Sequence, residues 1–541
     1  MKKPGIIKTT LTGLLLTALA TLSSCVEKET EYVDVHHWQT PVADIEAISD
    51  DGDFTALEVR EKDDWEVYVF NMQTGTATNI SNDPINSDKT VGFAGHHLIT
   101  LSENPQDIEN IKIYDVETGL LTFESDAYSW IGQEIIPYGA GTKVLMNLDD
   151  GTGANIFTHT LGENTLEKLI TGSAYSYIEK ASEDKSLIFI EHDSPSGPTM
   201  SIFRPADGSI TPVLNLSNHD VRHISKNNKT AVMVNWNYPN SDLKTLDIDT
   251  NTVNLVNLPT GKRYDFVYDI SENGETAMVM LQDTATDNRE WYCLDTATQT
   301  LDFITDAEVG AAIYDPQSIS ADGTITAFRD WSSPEIRLFN ADTDEFYDPF
   351  NAITHTGSSI LGFTSDGKAV LDYSTNVGWY GISNLVLHDP ATKTNTPIED
   401  SNFSNRWTAE MLPGNQHLAR DAEEIATGWE VVILEDLLNA TKKIIQLPGL
   451  DANYVDHSPD GSTVYIESRS NMPNLFAYDL ATEAVTQITN NTDESVNGFR
   501  IEKHSADGQS LIFREYNWNG TETYKQLDFD TGDIKIVAYE D

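Results

Sequence analysis

The chain has 541 residues, with 86 acidic side chains against 34 basic ones and a formal charge of −52. Such an excess of carboxylates repels phosphate backbones and argues against nucleic acid as a partner. The apolar content of 39% and aromatic content of 9% are too high for a disordered acidic chain, and two cysteines make neither a disulfide framework nor a Cys-based zinc site.

The first element is an address. Lys2, Lys3 and Lys8 precede an apolar run from Leu11 through Leu14 and Leu16 to Leu22, and small residues close it. Residues 1–24 therefore read as a signal peptide, too short and too Thr-rich for a permanent membrane span. The end of the run, Leu22-Ser23-Ser24-Cys25, resembles the bacterial lipobox. That resemblance implies a lipid on Cys25 as the mature N-terminus, and Val26 in place of Asp points towards the outer membrane. An ordinary signal peptide with a chance cysteine is the alternative. Residues 25–40, with Glu27, Lys28, Glu29 and Glu31, form a polar tether. Cys293 lies in the strand-like run Trp291-Tyr292-Cys293-Leu294 with no His or Lys beside it, which predicts a buried apolar role.

Beyond the tether one unit repeats. A Ser-x-Asp-Gly turn appears at Ser49-Asp50-Asp51-Gly52, Ser320-Ala321-Asp322-Gly323, Ser458-Pro459-Asp460-Gly461 and Ser505-Ala506-Asp507-Gly508. Further copies are Ser271-Glu272-Asn273-Gly274 and Ser365-Asp366-Gly367, weaker ones lie at Ser182 and Ser225, and degenerate ones near Gly95, Gly141 and Gly414. The eleven copies recur at roughly the length of a four-stranded propeller blade. A second turn follows within each period, as in Tyr114-Asp115-Val116-Glu117-Thr118-Gly119 and Tyr478-Asp479-Leu480-Ala481-Thr482. Asp, Asn and Ser bond to nearby amides and Gly supplies the positive φ that closes a hairpin. Short apolar runs between the turns, such as Leu187-Ile188-Phe189-Ile190 and Leu511-Ile512-Phe513, read as buried strands. Each unit is thus strand a, the Ser-x-Asp-Gly turn, strand b, a longer loop, strand c, the Asp-x-x-Thr turn and strand d. The fold class is all-β, a β-propeller of about eleven four-stranded blades. Eleven exceeds the usual number in one ring, so two propellers in tandem are expected, 41–310 and 311–541, with one oversized ring as the alternative.

The Ser-Pro-Asp-Gly and Tyr-Asp-Leu-x-Thr pattern, clearest from His457 to Thr489, resembles the TolB-type, WD-like β-propeller repeat of bacterial envelope proteins. That resemblance covers roughly 44–540 and implies the fold rather than a function. The chain departs from TolB in lacking its N-terminal α/β domain and in blade number. It also shows no Gly-x-Ser-x-Gly pentapeptide and no residues left over for the α/β-hydrolase domain of prolyl-oligopeptidase-type peptidases. The spacing of Asp and Gly does not match a sialidase Asp-box.

The regular a–b and c–d turns share one face of a propeller, and the variable b–c and d–a loops share the other, where binding is expected. Aromatic and arginine residues fall in those loops: Trp130, Trp236, Arg263 with Tyr264, Trp331, Trp379, Arg406 with Trp407, and Trp518. They are the predicted ligand-binding residues, set to stack on sugars, anchor a peptide or fix an anionic group. The opposing reading packs many of them between blades. Of the histidines, His36-His37, His96-His97 and the pair His219 and His223 show no series in equivalent loops, so no metal is predicted. Asp247-Ile248-Asp249 and Asp528-Phe529-Asp530 mimic calcium loops but coincide with the c–d turn and lack the distal Glu. No cofactor, nucleophile motif or phosphate loop is read from the chain. The expected function is a non-catalytic, lipid-anchored, monomeric outer-membrane propeller that binds an envelope protein, peptide or polysaccharide. It faces either the periplasm or the cell surface, and the lipid is its sole membrane contact. The alternatives are a glycoside hydrolase or lyase on the same face, and a scaffold in an outer-membrane assembly.

Overall fold

The structure is a computed structural model that describes residues 43–540 apart from short connecting stretches, the longest being 236–240 and 375–382. The calls on Cys25, Trp236, Trp331 and Trp379 lie outside the described residues. All described regular structure is β-strand. It forms eleven antiparallel sheets of consecutive strands, at 43–79, 87–124, 129–168, 176–213, 220–256, 262–306, 308–347, 357–397, 403–445, 451–487 and 496–540, here blades 1 to 11. Strands within each blade follow the order a-b-c-d, and blades 3 and 7 carry one additional two-residue strand each.

The repeated turns do what their side chains dictate. In blade 1 the Ser49 hydroxyl donates to Asp51 Oδ1 at 2.7 Å and accepts from the Phe54 amide at 3.0 Å, and Gly52 turns the chain at φ +74°. The same bonds recur from Ser182, Ser225, Ser271, Ser320, Thr364, Ser458 and Ser505. Strands b and c are apolar through their middles because both sheet faces are covered by neighbouring blades. Phe54, Ala56 and Val69 of blade 1 pack on Leu98 and Tyr114 of blade 2.

Eleven blades close as one ring, which corrects the expectation of two propellers in tandem. Across residue 310, Met278 and Trp291 of blade 6 share a core with Phe328 and Phe339 of blade 7. At the ends of the chain, Leu57, Tyr68 and Phe70 of blade 1 pack on Tyr524, Val537 and Ala538 of blade 11. Turn-to-turn bonds make the equivalence plain. The Asn227 amide donates to Glu272 O at 3.1 Å and Asn273 to Ala321 O at 3.1 Å. The Asp507 amide donates to Asp50 O at 3.2 Å, joining blade 11 to blade 1 in the same way.

First strands of successive blades approach one another and so border the centre of the ring. Nearly all are bulged at the residue three before the turn: Glu46, Val91, Glu179, Arg222, Tyr268, Gln317, Leu361, Val455 and Glu502. A bulge bends an edge strand and re-aims its side chains. Here that device is applied at the ring's inner wall.

Candidate functional site

The turn face is chemically repetitive, as the turn bonds above require. A distinctive group among its described residues is His96, whose Nε2 lies 2.6 Å from Asp51 Oδ2 and whose Nδ1 lies 2.6 Å from Glu117 Oε1. These two carboxylates raise the imidazole pKa. Together with Asp53 this is a His/Asp group of metal-binding size, but both ring nitrogens are engaged by carboxylates, as suits a doubly protonated imidazole. It works as a staple between blades 1 and 2.

The variable-loop face differs. Trp518 stands on the b–c loop of blade 11 with 74% of its surface exposed, as the sequence led one to expect of a loop aromatic. Trp130 lies in the short strand Ser129–Trp130, and Arg406 and Trp407 in the strand Phe403–Met411. Tyr264 is a correction: it is 4% exposed and its ring sits among Val234, Val267 and Leu281. The bulge at Asp265 places Tyr264 and Phe266 on opposite faces, and Phe266 is the exposed one. Arg263 is held in its own blade, with Nη2 2.6 Å from Gln282 Oε1 and 3.6 Å from Asp287 Oδ1.

Two groups on this face extend beyond the predicted ligand-binding residues. The first lies on the first two strands of blade 4 and the first strand of blade 5. The Tyr177 hydroxyl donates to Glu191 Oε2 at 3.2 Å, and Glu179 lies on the same strand as Tyr177, two residues on. Burial, and then the neighbouring carboxylates, push its phenol far above the usual range. Burial raises both carboxyls too, helped at Glu179 by the Asp220 carboxylate. Asp220 is paired with Arg222 at 2.8 Å, and Glu179 Oε1 accepts the Val221 amide of the next blade at 3.1 Å. This arrangement has the parts of an acid–base site, two carboxyls of raised pKa with a phenol bonded to one of them.

The second group is apolar. On the b–c loops of blades 9, 10 and 11, three consecutive blades, Ile425, Met472 and Trp518 are 62%, 40% and 74% exposed. Ile425 and Met472 carry no ring to stack on a sugar, so they fall outside the predicted aromatic and arginine set. A cavity of about 290 Å³ lies between the inner strands of blades 7 and 8, bordered by Gln317, Ser318, Arg329, Ser359 and Gly362.

No protein-family model and no curated protein matches the chain. Among solved structures it is similar to the tricorn protease (11% identity, TM-score 0.28, 91% of this chain and 57% of that one). It is also similar to Porphyromonas gingivalis dipeptidyl peptidase 4 (10%, 0.34, 90% and 64%) and to TolB from Acinetobacter baumannii (12%, 0.24, 64% and 79%). The chain thus spans less than two thirds of the length of the first two. Similarity at this level says nothing about chemistry; what the chain's own geometry shows is a β-propeller of eleven blades in one ring.

Proposed function

We propose that the protein is a binding propeller, held at the bacterial outer membrane by a lipid on Cys25, whose variable-loop face engages a protein, peptide or glycan without transforming it. The contrast between the two faces carries this reading. One face spends its side chains on turn hydrogen bonds, while the other lifts Ile425, Met472 and Trp518 into solvent. Exposed apolar groups gathered on adjacent loops mark interaction sites. The test blocks each face in turn on the detergent-extracted lipoprotein. A maleimide polymer on Thr427→Cys covers the variable loops, and one on Ala481→Cys covers the turn face. Cys293 stays unlabelled because burial pushes its thiol up to about 12. Capture of an envelope partner or glycan that only the Thr427 polymer abolishes supports the reading; loss with the Ala481 polymer alone opposes it.

A second reading, an enzyme acting on polysaccharide, is favoured by the Tyr177, Glu179 and Glu191 group. Turnover of a glycan that disappears in both Glu179→Gln and Glu191→Gln would establish it.

A further inference from the structure

We propose that the apolar arc on blades 9 to 11 is a docking site for a cationic amphipathic polypeptide segment. This rests on the reading of the variable-loop face as the binding face, and adds where on it the partner sits and what that partner is. Among the described residues, most other large apolar side chains with comparable exposure are scattered along outer strands, as Leu120, Leu255 and Phe303 are. Ile425, Met472 and Trp518 instead occupy the same loop of three neighbours in a row.

The loops that present them are fixed by their backbones. The Ile425 amide donates to Asn402 O at 2.8 Å, and the Trp518 amide to Ser495 O at 2.9 Å, each tying the b–c loop to the connection that leads into its own blade. The equivalent bonds in blades 4 and 6 are made by Asp193 and Thr284, so the apolar residues of blades 9 and 11 stand where polar ones serve the backbone equally well. Around Met472, Asn474 Nδ2 donates to the Met472 carbonyl at 3.1 Å, and the Asn474 amide to Ser468 Oγ at 2.9 Å. Between blades, Arg469 Nη1 lies 3.4 Å from Glu430 Oε2 and the Glu430 amide donates to Asp451 Oδ1 at 3.0 Å. A surface fixed before binding loses little freedom when a partner docks.

Charge selects the partner. The basic side chains beside the arc are already paired, Arg469 with Glu430 and Arg514 with Glu502 at 2.8 Å and with Glu522. Carboxylates outnumber them there, with Glu423, Glu424 and Asp451 on the same loops and strand ends. The formal charge of −52 repels anionic glycans and anionic lipid surfaces at long range and steers cations inward. A neutral glycan needs flat aromatic platforms, and two of the three anchors are aliphatic or thioether chains. Met adapts to varied apolar partners, and Trp is enriched among residues that dominate protein interfaces. A segment with Leu or Phe on one side and Lys or Arg on the other meets all of these conditions.

The probe is a fluorescein-labelled amphipathic peptide of Lys and Leu, read by anisotropy against the full mature protein. Its counterparts carry Glu for Lys or Ser for Leu, and the other arms are a neutral oligosaccharide and phosphatidylglycerol vesicles. Binding of the Lys/Leu peptide alone, weakening with salt and falling roughly tenfold or more in Trp518→Ser, supports the proposal. Trp518→Phe retains most of the affinity, and Leu120→Ser on the outer rim of blade 2 leaves it unchanged. Equal binding of the acidic peptide, binding of vesicles or sugar instead, or indifference to Trp518→Ser in a protein of unchanged melting temperature overturns it. If no peptide binds while the Thr427 polymer still abolishes capture of an envelope partner, this inference fails and the reading of the face survives; if capture too is unaffected, both fail.

Discussion

Replacing Glu467 by Gln should stabilise the ring, and more so in mild base than in mild acid. Glu467 lies on strand Thr463–Arg469 of blade 10, and its Oε2 accepts the Phe499 amide of blade 11 at 3.2 Å. The chain opposite is Gly498, where an added Cβ would stand 3.2 Å from Oε2. Burial lifts the carboxyl from 4.5 to about 7; the Phe499 amide and Arg469 pull it back, and Asp421 adds to the rise. A carboxyl raised in the folded state holds its proton where the unfolded chain has released it. Its contribution to stability therefore falls as pH rises from about 4.5 to about 7, and the cost is complete above that. At 1.36 kcal/mol per pKa unit the cost is roughly 3 kcal/mol at pH 8. Gln keeps an oxygen for the Phe499 amide and carries no charge, so Glu467→Gln should recover that amount at pH 8 and little near pH 5. With an unfolding entropy of about 2.1 cal/mol/K per residue, the gain is about 3 °C in a cooperative melt of this size. Differential scanning calorimetry of both proteins at the two pH values measures it. An equal shift at both, or a loss at pH 8, would refute the reasoning.

Gly498→Ala should cost roughly 1–3 kcal/mol, because the new methyl meets Tyr516 Cε2 at 3.1 Å as well as the Glu467 carboxylate; denaturant melts measure the loss, and Glu467→Ala should relieve part of it. At the junction of the two chain ends, Gln526 accepts from Thr55 Oγ1 at 2.7 Å and donates to the Gly52 carbonyl. Gln526→Ala should cost roughly 1–3 kcal/mol and raise hydrogen exchange in blades 1 and 11 ahead of blade 6. His96→Gln should destabilise most below the ordinary imidazole value and progressively less as pH rises through the raised one, since both Asp51 and Glu117 are paired only while the ring carries two protons. Added salt should shrink the effect at these half-exposed groups, and melting temperatures across the pH range report both.

The blades were legible because their turns are local chemistry. Even the degenerate copies at Gly95, Gly141 and Gly414 take positive φ values of 56°, 73° and 87°, as their place in the repeat demanded. The closure was not legible, because it rests on contacts such as Asp507 to Asp50 and Thr55 to Gln526 between opposite ends of the chain. Composition was a poor guide to exposure wherever a bulge intervened. Tyr264 and Phe266 would share a face in a regular strand; the additional residue, Asp265, sends one into the core and the other out. The apolar arc was half visible, through Trp518, because a loop Trp draws notice and a loop Ile or Met does not.

Among the described residues each sheet consists of consecutive strands, and none is exchanged between first and last blades. Within those residues closure gains no backbone ladder, and the junction of blades 1 and 11 is held by the same forces as the others. The middles of the blades supply apolar packing, but the inner strands are bulged edges whose amides point at a neighbour. At several junctions a carboxylate fills that role: Glu58 accepts the Thr90 amide at 2.5 Å, Asp421 that of Tyr454 at 2.6 Å, Glu179 that of Val221 and Glu467 that of Phe499. Two of these carboxyls, Glu58 and Glu467, are raised to about 7 by burial, so the straps are kept at a cost in stability. A hydrophobic side chain there would leave a buried amide unpaired, at a cost of the same order, about 1–3 kcal/mol. Part of the acidity that marks the composition is thus architectural. Carboxylates cap the turns on one face and join blade to blade along the inner wall, while the excess left on the surface sets which partners can approach.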